Sequence, residues 1–214
     1  MPNAVLLATA LLLFAVGFQA PPPPPLNESN QLAQTDDGPA MPFVDEGACP
    51  FEGCIYTDWK ARKNVDAVED PASAWTRGQP VKLKRLFRVR KGETVTAIGG
   101  LVVFTRAGRM RIDKPMAVDT RNGRDLTLSP GDIIYLLTYH GEFYFTAWFK
   151  GQLIGVETSN TIKGPVTPQC SIDCDGEILE DGQSTWWVNI QNARGQSGWT
   201  DHPYDFDGSY DRDP

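Results

Sequence analysis

Histidine is nearly absent from this chain. Its 214 residues include two, His140 and His202. One precedes a glycine and the other a proline, so neither stands in a spaced catalytic constellation. Sustained helical periodicity is also missing, which argues against helical bundles and α/β folds. A nucleophile elbow is lacking too: Gly195-Gln196-Ser197-Gly198 has the wrong spacing, and Ser197 reads as a hairpin residue. A basic excess is absent, since 20 Lys and Arg face 27 Asp and Glu for a formal charge of −7. An acidic, exported chain is a poor partner for nucleic acid, and none is expected.

What is present begins with an apolar run over residues 4–18, too short for a membrane-spanning helix of roughly 20 residues. It matches the core of a secretory signal peptide over residues 1–20, with Ala15-Val16-Gly17 as a small-x-small cleavage site. No Lys or Arg precedes the run, and an uncleaved segment would leave the chain anchored to a membrane. The protein is therefore expected in the periplasm or outside the cell. Residues 21–44 read as a disordered spacer, opening with five prolines that favour extended polyproline II. Asn27-Glu28-Ser29 is a formal glycosylation sequon, meaningful only in a eukaryotic host. Residues 45–214 remain for the folded region, with order beginning near Cys49.

The four cysteines are Cys49, Cys54, Cys170 and Cys174. In an exported chain two close pairs indicate disulfides, and four cysteines allow three connectivities that sequence leaves open. A four-thiolate zinc site is disfavoured by the oxidising compartment and by spacings off the common patterns. Two acidic stretches, residues 173–177 and 205–211, alternate oxygens around a glycine, as calcium loops do. Neither completes the EF-hand spacing, so both read as solvated turns, and no metal or cofactor is expected.

The second half alternates aromatic and β-branched runs with glycine turns, the signature of short antiparallel strands. Strands are expected at 81–83, 87–89, 94–98, 101–104, 109–112, 133–139, 143–149, 153–157, 186–190 and 196–200. Gly99-Gly100 and His140-Gly141 are read as turns, and residues 115–127 as a loop or insertion. An internal repeat shows in residues 91–98 and 130–137, which share a Gly-acid turn leading into a strand. Either one small barrel with a long β insertion or two related barrels would produce it. Basic residues concentrate between Arg77 and Lys114 and acids after Asp201. The basic stretch fits an anionic envelope polymer, or a solvated face partly neutralised by the acidic tail, which is favoured.

The run Trp186-Trp187-Val188-Asn189-Ile190, followed by Arg194-Gly195-Gln196-Ser197-Gly198-Trp199, resembles the closing hairpin of bacterial SH3-like domains. Lys91-Gly92-Glu93-Thr94-Val95 and Pro130-Gly131-Asp132 are similar to that family's entry into a middle strand. The resemblance implies an exported all-β barrel that binds peptidoglycan, a peptide or a partner protein. Alternation along residues 186–190 puts Trp186, Val188 and Ile190 on one face and Trp187 on the other, so one tryptophan is expected in the core and the other nearer solvent. The candidate ligand-binding residues are Tyr139, Tyr144, Trp148, Trp187 and Trp199. No catalytic residue is assigned. The expected function is a non-catalytic binding module of a bacterial envelope. A secreted inhibitor or toxin-neutralising partner is the alternative, and a small hydrolase the third reading.

Overall fold

The computed structural model describes residues 38–51, 53–76, 79–80, 82–120, 123–158, 162–163 and 174–209. The signal-peptide region, the proline run, Cys170 and the end of the acidic tail lie outside the described residues. The fold is all-β, in two curled half-barrel sheets. Its strands are β1 (Phe43–Glu46), β2 (Asp58–Ala61), β3 (Val65–Val68), β4 (Trp75–Thr76), β5 (Gln79–Pro80), β6 (Arg85–Val89), β7 (Thr94–Arg106), β8 (Gly108–Ile112) and β9 (Met116–Thr120). They continue as β10 (Leu126–Leu128), β11 (Ile133–Gly141), β12 (Tyr144–Phe149), β13 (Gln152–Glu157), β14 (Ile162–Lys163), β15 (Gly176–Glu180), β16 (Gln183–Gln191), β17 (Ser197–Thr200) and β18 (Phe206–Asp207).

The first sheet runs β18-β2-β7-β16-β17-β3-β6, with β1 added beside β7. The second runs β10-β9-β13-β12-β11-β8-β15-β14. Six strands of each follow one plan. Pairs β2·β7, β3·β6, β7·β16, β16·β17 and β17·β3 of the first are matched by β8·β11, β9·β10, β11·β12, β12·β13 and β13·β9 of the second.

The registers correspond as well. Trp59 faces Val95 as Met110 faces Ile134, and Val65 faces Val89 as Met116 faces Leu128. Ile190 opposite Ala97 matches Ala147 opposite Leu136, and both ladders then slip before Val188–Gly100 and Phe145–Tyr139. The repeat of residues 91–98 and 130–137 thus occupies equivalent places in the two sheets. Strands β8 to β13 all lie between β7 and β16, which are neighbours in the first sheet. An insertion there leaves the outer unit intact, because Gln183 pairs with Arg106 where the chain leaves and returns.

Each sheet has its own core. Trp59, Val65, Ala67, Val89, Val95, Val102, Trp186, Val188, Ile190 and Phe206 fill the first, and Met110, Ile112, Leu128, Ile134, Ala147, Ile154 and Val156 the second. Close packing of this kind supplies most of the favourable free energy of a small β domain.

Several expectations require correction. Gly99 and Gly100 form no turn but lie inside β7, which pairs with β16 along its length. The reason at Gly100 is close approach, since a Cβ there would strike Tyr56 Oη and the Trp186 indole nitrogen. Residues 115–127 are not an irregular insertion, because β9 and β10 pair within them. His140 lies in β11 rather than in a turn, and the reversal comes at Gly141, Glu142 and Phe143, all at positive φ. Lys82, Leu83 and Lys84 precede β6 and are not a strand. Packing also begins earlier than Cys49: Gly38 lies against the Tyr135 ring, and Met41 and Phe43 pack on the first core.

Candidate functional site

Alternation along β16 turns Trp186, Val188 and Ile190 inward and Trp187, Asn189 and Gln191 outward. On β17, Gly198 and Thr200 are buried while Trp199 is partly exposed. The ladders place Arg85, Val68, Trp199, Asn189 and Gly99 in one row across four strand pairs. Trp187 stands two residues along β16 from Asn189, diagonal to Trp199 and opposite Leu101. Diagonal neighbours on one face are within reach of aromatic side chains. Space beside Gly99 is open, with nothing within 4 Å of a Cβ position. Asn189 Oδ1 is buried and makes no hydrogen bond. Trp187, Asn189 and Trp199 therefore share one face of the first sheet, beside the open space at Gly99. Ile98, at the bulge beside it, is 51% exposed.

The equivalent place in the second sheet is closed. Gly155 stands where Trp199 stands, and the Tyr144 hydroxyl lies directly over it. The Tyr139 and Phe145 rings sit 4.9 Å apart, and the Phe143 N–H approaches Tyr139 Oη at 3.4 Å. His140 Nε2 shares a 2.8 Å hydrogen bond with Thr146 Oγ1. Trp148 has another task. It lies in a row with Arg109, Tyr135 and Leu153, and Tyr135, Trp148 and Leu153 pack against the first core. A buried bond across the same junction runs from Thr138 Oγ1 to Asp45 Oδ2 at 2.5 Å. Of the five aromatic residues singled out from sequence, Trp187 and Trp199 share a face, Tyr139 and Tyr144 belong to the other sheet, and Trp148 joins the two units.

Sequence reasoning missed a second aromatic group. Trp186 is 6% exposed and is met edge-on by Phe51 at 5.1 Å and by Tyr204 at 5.9 Å. Phe51 also stacks on Tyr204 at 6.3 Å, and Trp59 meets Trp186 at 6.3 Å. Beneath them Tyr56 Oη and Trp186 Nε1 are buried and make no hydrogen bond of full geometry. Burial pushes the Tyr56 hydroxyl up from its ordinary value, and the neighbouring Trp186 indole N–H pulls it partly back. Phe51, Tyr56 and Tyr204 lie outside the strands, so period-two alternation gave no signal for them.

Several of the described charged residues pair with one another locally. Arg88 donates to both Asp66 oxygens at 2.6 and 3.0 Å, and Arg85 approaches the same carboxylate at 3.5 Å. Hydrogen bonding to Arg88 holds the Asp66 carboxyl below the usual range. Arg111 bridges Asp113 and Glu177, which raise its guanidinium, and Arg109 pairs with Glu180. The acidic tail pairs instead with Arg62 and Lys63, through Asp207 and Asp205. The described acids weighed as calcium ligands, Asp175, Glu177, Asp205 and Asp207, thus face cations of the chain itself. Among the described residues no group of His, Cys, Asp or Glu is arranged to hold a metal.

Cys49 and Cys54 form a disulfide, Cys174 is disulfide-bonded, and no described cysteine is free. Among the described residues no helix is long and apolar enough to cross a membrane. No family model matches the chain, and neither does any curated protein or solved structure.

Proposed function

We propose that the protein is an exported binding module of a bacterial envelope, built on SH3-like barrels and acting without catalysis. Its ligand is a peptide, peptidoglycan or a partner protein, held on the outward face of the first sheet. One observation carries this reading: Trp187 and Trp199 share the outward face of the first sheet, beside the open space at Gly99. Indole faces stack on sugar rings and peptide side chains, and a nearby amide fixes orientation. The second sheet has no such pair of indoles, because Gly155 stands at the place of Trp199 and Tyr144 covers it. Binding therefore belongs to the outer unit, and the inserted unit acts as its support.

The test is pulldown of the full chain with purified peptidoglycan and with envelope extract. Trp187→Ala and Trp199→Ala should each weaken retention by about two- to tenfold, the loss of roughly 0.5–1.5 kcal/mol of stacking. Circular dichroism should confirm that both variants are folded. Tyr144→Ala and His140→Ala should bind as the parent does. Full retention by both tryptophan variants would overturn the reading.

A further inference from the structure

The cations around β6 and the outward indoles belong to one surface. Among the described residues β6 pairs with β3 alone, so it forms the rim of the first sheet. The β3·β6 ladder slips between Ala67 and Val68, which sets Arg85 opposite Val68 and in the row that continues to Trp199. A slip of this kind re-aims a side chain. Asp66 shows where Arg85 points. Asp66 lies between the buried Val65 and Ala67 and so faces outward, and Arg85 approaches its carboxylate at 3.5 Å. Val68 alone stands between Arg85 and Trp199, so their backbones are two strand spacings, about 10 Å, apart.

Charge on this rim is not balanced. Arg88 donates to both Asp66 oxygens, at 2.6 and 3.0 Å, and Arg85 shares that one carboxylate. Lys82 and Lys84, just before β6, are exposed. Glu69 is the other acid in contact here, accepting the Lys84 backbone N–H at 3.3 Å. The described acids of the tail are engaged elsewhere, Asp205 with Lys63 and Asp207 with Arg62.

The inserted unit lacks the indole and the cations together. Gly155 stands where Trp199 stands, Asp119 where Val68 stands, and Thr127 where Arg88 stands. Its rim strand β10 reads Leu-Thr-Leu, with no cation. Both units nevertheless pair their strands by one plan. The plan therefore forms without this indole and these cations, which frees them for binding.

We infer that the outward face of the first sheet takes a carboxylate-bearing glycan chain laid across the strands, with a sugar ring on Trp199 and an acid group held by Arg85 and Lys84. The inference rests on the reading of that face as the binding surface and narrows its ligand. Two indoles on one sheet face offer area to successive sugar rings, each of which has a broad apolar side. Stacking alone is indifferent to charge. The cations add the preference for an acid, because a guanidinium holds a carboxylate through paired hydrogen bonds and like charges are rejected.

Three probes titrated into the full chain, read by tryptophan fluorescence, separate the parts. An oligogalacturonate carries an acid on every ring, a chitooligosaccharide of equal length carries none, and polyglutamate carries acids without rings. The oligogalacturonate should bind most tightly, and added salt should weaken it by screening the cations. Lys84→Gln with Arg85→Gln should weaken it by about threefold or more and remove most of the salt dependence. Trp199→Ala should weaken it by about two- to tenfold. The chitooligosaccharide should respond to Trp199→Ala and not to the double cation variant. Circular dichroism should show both variants folded.

Equal binding of the acidic and neutral oligosaccharides, or parent-like binding by the cation variant, would overturn the inference while leaving the indole face as a binding surface. Polyglutamate binding as tightly as the oligogalacturonate, with no effect of Trp199→Ala, would overturn it in favour of bare charge attraction. Absence of oligogalacturonate binding would overturn it too. Only if both tryptophan variants also keep full retention on peptidoglycan and envelope extract does the binding surface itself fall.

Discussion

Glu93 and Asp132 hold equivalent turns in the two sheets. The Glu93 carboxylate accepts the Arg90 N–H at 2.8 Å, and the Asp132 carboxylate accepts the Ser129 N–H at 2.8 Å. Gly92 and Gly131 lie within the turns at positive φ and donate to the carbonyls of Ala61 and Ile112, each at 2.8 Å. In return Ala61 and Ile112 donate to the carbonyls of Glu93 and Asp132, each at 2.9 Å. Each turn thereby fastens the end of the first strand of its unit to the entry of the fourth.

Removing either carboxylate should loosen that clasp. Glu93→Ala and Asp132→Ala should each cost about 1 kcal/mol, the net worth of one hydrogen bond. Glu93→Gln and Asp132→Asn, which keep an acceptor oxygen, should recover most of the loss. Urea unfolding of the four variants measures this. Alanine variants as stable as the parent would show that the turns hold without the carboxylates.

Asp66 should make stability depend on pH. Its folded pKa lies below the unfolded value because Arg88, and less so Arg85, bond to the charged form. The contribution is therefore complete above the ordinary carboxylate range and is lost as pH falls through the folded value. Asp66→Asn should be less stable than the parent at pH 7, and the gap should close in strong acid. Added salt should narrow it at pH 7, since the pair is solvent-accessible. Denaturation midpoints at neutral and acidic pH, each with and without salt, provide the check. A gap that persists unchanged in acid would refute the assignment.

Two glycines should respond oppositely to a methyl group. A Cβ on Gly176, where β15 meets β8, would strike the Arg111 carbonyl oxygen and the Met110 terminal methyl. Gly176→Ala should therefore cost about 1–3 kcal/mol through overpacking. Gly99→Ala, which meets open space, should stay within about 0.5 kcal/mol of the parent. Thermal melts of the two variants compare them directly, and equal melting temperatures would show that the Gly176 contact relaxes freely.

Much of the fold was written in local pattern. Aromatic and β-branched alternation located β11, β12, β13, β16 and β17 to within a residue or a few, because a strand's burial follows a period of two. The same period separated Trp186 from Trp187. The Gly-acid turns marked equivalent positions, since a glycine at positive φ and a carboxylate near a free N–H are local requirements.

Other features could not be read that way. β1, β2, β3 and β15 are short, and their burial comes from the strands they meet rather than from their own sequence. Gly99-Gly100 looked like a turn because glycine permits one. Only the approach of Tyr56 and Trp186 shows why Gly100 lies within a strand. The candidate site divides in the same manner. Outward Trp187 follows from alternation, but its company with Trp199 and the open space at Gly99 depends on which strands pair. Likewise Trp148 carries the same aromatic signal as Trp199, and packing against the other unit gives it a different role. Periodicity belongs to a segment and can be read along the chain, whereas adjacency between distant segments arises only when the sheets close and pack.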